Sequence, residues 1–112
     1  MKRAAIIGAG AWGTAIAQTL ARAGLDIALW AHEAATVDAI NTTQENPVFL
    51  KGVALARNIR ATTDLADAVK SAELLVWVTP AQHLRATLTK AAPHLPASAP
   101  LILATKGSAG QF

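Results

Sequence analysis

Three glycines, Gly8, Gly10 and Gly13, stand in a G-x-G-x-x-G spacing filled by Ala9, Ala11 and Trp12. They follow an apolar run and open an Ala-rich stretch, the strand-to-helix context that turns this spacing into a phosphate loop. Each glycine then has its own task. Gly8 allows the tight turn, Gly10 lets the backbone approach a pyrophosphate, and Gly13 lets the following helix pack close to the sheet. The free amides of that helix start face the phosphates. Glycine inside a helix costs roughly 1 kcal/mol relative to alanine, so three of them in so Ala-rich a sequence are hard to explain by stability. The competing reading is an ordinary tight turn between strand and helix.

A dinucleotide held on that loop reaches the end of the second strand with its ribose. There a carboxylate takes the ribose hydroxyl of NAD, or a cationic group accommodates the 2′-phosphate of NADP. Counted from Gly24 the position is Ala31, followed by His32 and Glu33, so the usual acid is missing from its usual place. His32 can hydrogen-bond adenosine or contact a 2′-phosphate, and Glu33 can reach the ribose. Weak discrimination is expected, the cofactor being NAD or NADP. The pair equally fits solvated residues opening the next helix, where an acid favours the helix dipole. Pro80 follows one further strand, and Lys106 with Gly107 follows another. Ligands of open α/β sheets bind beyond such carboxyl ends. Lys106 there offers a point charge to an anionic substrate or to the cofactor, or is a solvated lysine in a turn.

These residues need a scaffold, and short apolar runs alternating with helical patterns predict one: a Rossmann-type α/β domain, a doubly wound parallel sheet covered by helices. Strands are expected at 3–7, 27–30, 59–62, 74–78 and 101–105. The first helix carries Gly13, Ala17, Leu20 and Gly24 on one face, with Gly24 as its stop. A short helix is expected around 34–40. A polar, irregular loop over 41–53 then holds Asn46, Pro47 and Gly52, with Phe49 and Leu50 giving it a partly buried middle. Thr63 or Asp64 caps a helix with Leu65, Ala68, Val69 and Ala72 on one side. After Pro80 a helix sets Leu84, Leu88, Ala91 and Leu95 on one face, until Pro96 and Pro100 break the pattern. Trp30 and Trp77 fall in strands and belong to the core rather than to stacking platforms.

Composition narrows the function further. The chain has 112 residues, 53% hydrophobic and 15% charged, which excludes a disordered tail and suits strands buried on both faces. One small domain of this length is short for an enzyme that holds both a dinucleotide and a substrate, so a fragment or single module is expected. Its net charge of +3 comes from scattered Lys and Arg, which argues against nucleic acid as a partner. Cysteine is absent, so no disulfide or thiolate metal site is expected, and a cytoplasmic, reducing location is compatible. His83 and His94 lack acidic or Cys partners at ligand spacing, so no metal is expected, and His83 reads as a helix-surface residue. Lys2 and Arg3 before an uncharged run to Ala21 resemble a signal peptide. Three glycines and Gln18 interrupt that run, so neither a membrane span nor insertion is expected.

Taken in order, the residues resemble the bacterial-type NAD(P)-dependent glycerol-3-phosphate dehydrogenases. The match runs through Ile7 to Ala15, then Leu29, Trp30, Ala31 and His32, then Asn46, Pro47, Phe49, Leu50 and Gly52, then Val78, Pro80 and Arg85, then Thr105, Lys106 and Gly107. The resemblance implies that Ala11 and Trp12 lie on the cofactor, His32 near the adenosine ribose, and Lys106 on both cofactor and substrate. His32 stands where the family often has Arg, a departure that bears on NADP preference. The expected cofactor-binding set is thus Gly8, Gly10, Ala11, Trp12, Gly13, His32, Glu33, Pro80 and Lys106, with Lys106 also binding substrate. The implied reaction is hydride transfer between sn-glycerol 3-phosphate, which becomes dihydroxyacetone phosphate, and the nicotinamide, a step feeding phospholipid synthesis. Residues 1–112 would be the dinucleotide-binding part. The general acid/base lysine, most substrate-phosphate contacts and homodimer contacts are expected in a helical C-terminal domain outside the chain, which alone would bind without turning over. Two alternatives are a 3-hydroxyacid or 6-phosphogluconate-type dehydrogenase, which would differ in the 41–53 loop, and a non-catalytic NAD(P)H-sensing module, which would have little use for Lys106.

Overall fold

Apolar runs such as Ala-Ala-Ile-Ile and Leu-Leu-Val-Trp have no polar face, so they become strands only where helices cover both sides. The computed structural model, which describes residues 2–47 and 52–104, shows that arrangement. Strands β1 (Arg3–Ile7), β2 (Asp26–Trp30), β3 (Ile59–Thr62), β4 (Leu74–Trp77) and β5 (Leu101–Leu103) form one sheet in the order β3-β2-β1-β4-β5. Every neighbouring pair is parallel, with Ile7 aligned to Trp30 on one side and Trp77 on the other. The chain runs outward from β1 to β3 and then returns to β4, so the strand order reverses between β1 and β4. In an open sheet this switch point opens a crevice at the carboxyl ends.

Helices α1 (Ala11–Arg22) and α2 (Ala34–Thr43) accompany one hydrophobic cluster; α3 (Leu65–Val69) and α4 (Ala81–Ala91) accompany the other. Ile6, Ala17, Ala21, Leu29 and Ile40 fill the first cluster. Ile7, Val69, Leu75 and Trp77 fill the second. Trp77 and Trp30 are both buried core residues, and each indole N–H is satisfied, by the Thr87 hydroxyl and the Thr63 carbonyl respectively, at 2.9 Å. At the outer edge β5 exposes Leu101, Ile102 and Leu103.

The element ends follow local chemistry. Gly24, at φ +104, closes α1 in a Schellman arrangement in which its N–H bonds the Ala21 carbonyl and the Leu25 N–H bonds the Leu20 carbonyl. Of the two expected caps for α3, Asp64 is the one used, accepting the amides of Ala66 and Asp67. The short helix expected at 34–40 runs on to Thr43, so the loop begins three residues later than the expected position 41. Asn41 pairs with both the N–H and the C=O of Ala61 on β3, and the hydroxyls of Thr42 and Thr43 bond the carbonyls of Asp38 and Ala39. Gln44 then ends α2 at φ 58. Strand β4 stops at Trp77 rather than 78, although the Val78 N–H still bonds the Ile7 carbonyl. Beyond α4, Pro93 sits in a 3-10 turn over Ala92–His94, which breaks the helical face before Leu95. Strand β5 ends at Leu103, short of the expected 105, and Thr105 lies outside the described residues.

Candidate functional site

Gly8 is the pivot of the crevice. Its N–H bonds the Trp30 carbonyl at the end of β2, 3.0 Å away. On the other side a Cβ placed on Gly8 would lie 3.0 Å from the Val78 carbonyl and 3.1 Å from the Thr79 nitrogen. With φ at +124, the residue is glycine for reasons internal to the fold. Gly13 is internal too: a Cβ there would stand 1.8 Å from the Gly8 carbonyl oxygen. Gly13 therefore lets α1 press against the end of β1, the close helix packing expected of it.

Gly10 is different. Its φ of −72 and ψ of −173 are extended values open to any residue. A Cβ on it would meet nothing within 4 Å. The fold does not require glycine at this position, and the space beside it faces out of the chain. Gly10 is the N-cap of α1 and contributes no side-chain cap. The first α1 bond runs from the Thr14 N–H to the Gly10 carbonyl at 2.9 Å, so the amides of Ala11, Trp12 and Gly13 have no helical acceptor. No acidic residue occupies the first turn of α1 to offset its positive end. An anion arriving from solution fits this chemistry, and the residues present fit a pyrophosphate group.

The other described residues of the expected set lie just past the carboxyl ends of the strands. Ala11 and Trp12 are exposed on the first turn of α1, Trp12 with 51% of its surface accessible, so its ring is available to a ligand rather than spent on the core. His32 and Glu33 are exposed just past β2, His32 with its ring 6.2 Å from that of Trp30, and Glu33 is the N-cap of α2. Ala31, where an acid usually stands, is buried and donates its N–H to the Thr62 carbonyl. Pro80 is the exposed N-cap of α4, next to Thr79. Lys106 and Gly107 lie outside the described residues, as do Phe49 and Leu50. His83 is exposed on α4, and among the described residues no group of three or more acidic, His or Cys side chains could hold a metal. No helix among them is long and apolar enough to cross a membrane.

Residue types alone gave no role to three side chains that shape the site. Asn46, fully buried, donates its amide to the Ala9 carbonyl at 2.8 Å and to the Thr14 hydroxyl at 3.0 Å. Gln18 laces the same loop to α1, donating to the Ala54 carbonyl and accepting the Ala56 amide. Thr79, whose backbone nitrogen lies beside Gly8, is buried, and its hydroxyl has no hydrogen-bond partner among the described residues. An amide side chain inside an irregular, Pro-containing segment with an apolar middle was the available signal for the first of these, and it names no partner.

Against known proteins, residues 3–111 match the family model described as the NAD-dependent glycerol-3-phosphate dehydrogenase N-terminus. The chain belongs to this family. It is 55% identical over 106 residues to glycerol-3-phosphate dehydrogenase [NAD(P)+] of Caulobacter vibrioides, covering 95% of the chain and 32% of that protein. To the same enzyme of Rhodospirillum rubrum it is 52% identical, covering 92% of the chain and 30% of the relative. The crystal structure of glycerol-3-phosphate dehydrogenase from Coxiella burnetii superposes with a TM-score of 0.88 at 30% identity, over 95% of the chain and 33% of that structure. The chain thus spans about a third of the length of the relatives it matches. Family membership and the parallel Rossmann sheet both agree with the reading of the sequence.

Proposed function

We propose that this chain is the dinucleotide-binding part of an enzyme that interconverts sn-glycerol 3-phosphate and dihydroxyacetone phosphate with NAD or NADP. The observation that carries the reading is Gly10, a glycine that the fold does not require, beside amides that lack helical acceptors. The nicotinamide supplies or accepts the hydride when the cofactor is bound. The chain's own residues do the holding. The start of α1 takes the pyrophosphate through its free amides and positive dipole end. His32 and Glu33 meet the adenosine ribose, and Trp12 and Pro80 line the crevice. Lys106 offers its charge to the cofactor and the substrate. Proton transfer to and from the substrate oxygen falls to a lysine of a further, helical domain, where dimer contacts would also lie. The chain's lack of cysteine is compatible with the reducing, cytoplasmic setting proposed for it.

The deciding assay uses the full-length protein carrying this chain, with dihydroxyacetone phosphate and either NADH or NADPH, following loss of the reduced cofactor. Turnover that depends on dihydroxyacetone phosphate is expected. Turnover only with a 3-hydroxyacid or 6-phosphogluconate-type substrate would move the chain to a sister dehydrogenase. Binding of NADH without turnover of any such substrate would make it a sensing module.

A further inference from the structure

The amides at the start of α1 can receive a pyrophosphate only if the loop before them is held in one orientation, and the backbone of α1 does not hold it. The carbonyl of Ala9 precedes the helix and meets no backbone N–H of α1. From α1 it receives only the Thr14 hydroxyl, at 3.3 Å, and from a distant part of the chain the Asn46 amide, at 2.8 Å. Asn46 also donates to that hydroxyl at 3.0 Å, so the three groups close a small, buried network. The peptide bonds of the described chain are all trans. In a trans peptide C=O and N–H point in opposite directions. Fixing the Ala9 carbonyl toward the buried Asn46 therefore turns the Gly10 N–H the other way, away from that buried network.

Asn46 is itself well anchored. Gln44 leaves α2 at φ 58, and its carbonyl takes the Leu55 N–H at 2.7 Å. The Glu45 carboxylate takes the Gly52 N–H at 2.7 Å, and Gln18 ties Ala54 and Ala56 to α1. The segment after α2 is thus braced on both sides of the residue that reaches the glycine loop.

We infer that Asn46 is a positioning residue for the dinucleotide: it pins the Ala9 carbonyl inward and so holds the Gly10 and α1 amides aimed at the pyrophosphate. This inference rests on the dinucleotide reading above. Asn46 touches no phosphate in this role, so its loss acts on affinity through the loop. The effect is the same for NADH and NADPH, which share the pyrophosphate.

The test titrates NADH and NADPH into the full-length protein in four forms: wild type, Asn46→Asp, Asn46→Ala, and the control Asn41→Ala. Asn46→Asp keeps the shape and replaces the donor facing the Ala9 carbonyl with an acceptor. Asn41→Ala removes two hydrogen bonds of similar length between α2 and β3 and leaves the glycine loop alone. Both Asn46 variants should weaken NADH and NADPH by the same factor, roughly tenfold or more given two lost hydrogen bonds. The control should lose thermal stability without losing affinity. Amide hydrogen exchange at residues 9–14 of the ligand-free protein should quicken in the Asn46 variants and not in the control. If an Asn46 variant fails to fold, Asn46→Ser, which retains a donor but is too short to span both acceptors, is read in the same titration. Folded Asn46 variants that bind both cofactors as tightly as the wild type would overturn the inference while leaving the dinucleotide site intact. A folded wild type that binds neither cofactor would instead overturn the dinucleotide reading, and this inference with it.

Discussion

Alanine at Gly13 should cripple the fold, whereas alanine at Gly10 should spare the fold and weaken only the ligand. At Gly13 the added methyl would lie 1.8 Å from the Gly8 carbonyl oxygen. Carbon and oxygen normally stay about 3.3 Å apart at closest, so α1 or the glycine turn must retreat by more than about 1 Å. Overpacking of this kind costs about 3 kcal/mol or more when the obstacle is backbone. For a domain of this size that lowers Tm by about 10 °C or more. At Gly10 the methyl meets nothing, and its backbone angles suit alanine. Removing glycine's freedom from the unfolded chain stabilises by about 0.4–1 kcal/mol. Losing glycine at an N-cap costs about the same, so Tm should stay within a few degrees. The same methyl occupies the space the pyrophosphate needs, and NADH affinity should fall roughly tenfold or more, as expected of a displacement near 1 Å. Thermal melts and NADH titrations of the two variants give both readings. A Gly10→Ala protein as unstable as Gly13→Ala, or one that binds NADH like the wild type, would refute the argument that Gly10 serves the ligand.

Other outcomes follow from individual contacts. His32→Arg supplies a permanent cation beyond β2 and should raise the NADPH-to-NADH affinity ratio by roughly tenfold; an unchanged ratio in paired titrations would remove His32 from the ribose end of the site. Asp64→Ala strips two amide contacts from the start of α3 and should cost about 1 kcal/mol, or about 4–8 °C in Tm, with Asp64→Asn retaining most of it. Acid should destabilise the protein through two carboxylates. Hydrogen bonding from Arg60, then Lys70, holds the Asp67 carboxyl below its ordinary range, and the backbone N–H groups of Lys2 and Arg3 do the same for Glu73. Their folded pKa values lie below the unfolded ones, so the stability they add is complete above about pH 4 to 4.5 and fades as pH falls through the folded values. Melts from neutral to acid pH should show that loss, and Asp67→Asn with Glu73→Gln should flatten it; an equally steep loss in the double variant would contradict the assignment.

Much of the fold was readable because the central strands β1 and β4 are buried on both faces. The run from Arg3 to Ile7 has the observed bounds, since only a parallel sheet under two helical layers absorbs so apolar a stretch, and Ile59 to Thr62 has them because its buried and exposed residues alternate. The glycine loop was readable because each glycine has a separate geometric task. The readings that failed did so where a distant partner overrode local preference. Asn41, Thr42 and Thr43 are poor helix formers, yet α2 continues through them because Asn41 is held by Ala61 on β3. Asn46 stood in an irregular segment, and nothing in its neighbours reveals that its amide reaches Ala9, 37 positions earlier. One miss is local instead: the helical spacing of Leu84, Leu88, Ala91 and Leu95 runs across Pro93, which sits in a 3-10 turn before Leu95.

The claim on which the rest depends is that the loop from Gly8 to Gly13 holds a dinucleotide. Its most direct test is a titration of the chain with NADH, followed by Trp fluorescence, beside the Gly10→Asp variant. Saturable quenching in the wild type, lost when a carboxylate occupies the open space at Gly10, is the predicted result. A folded wild type with no quenching, or a Gly10→Asp protein that binds as well as the wild type, would contradict it.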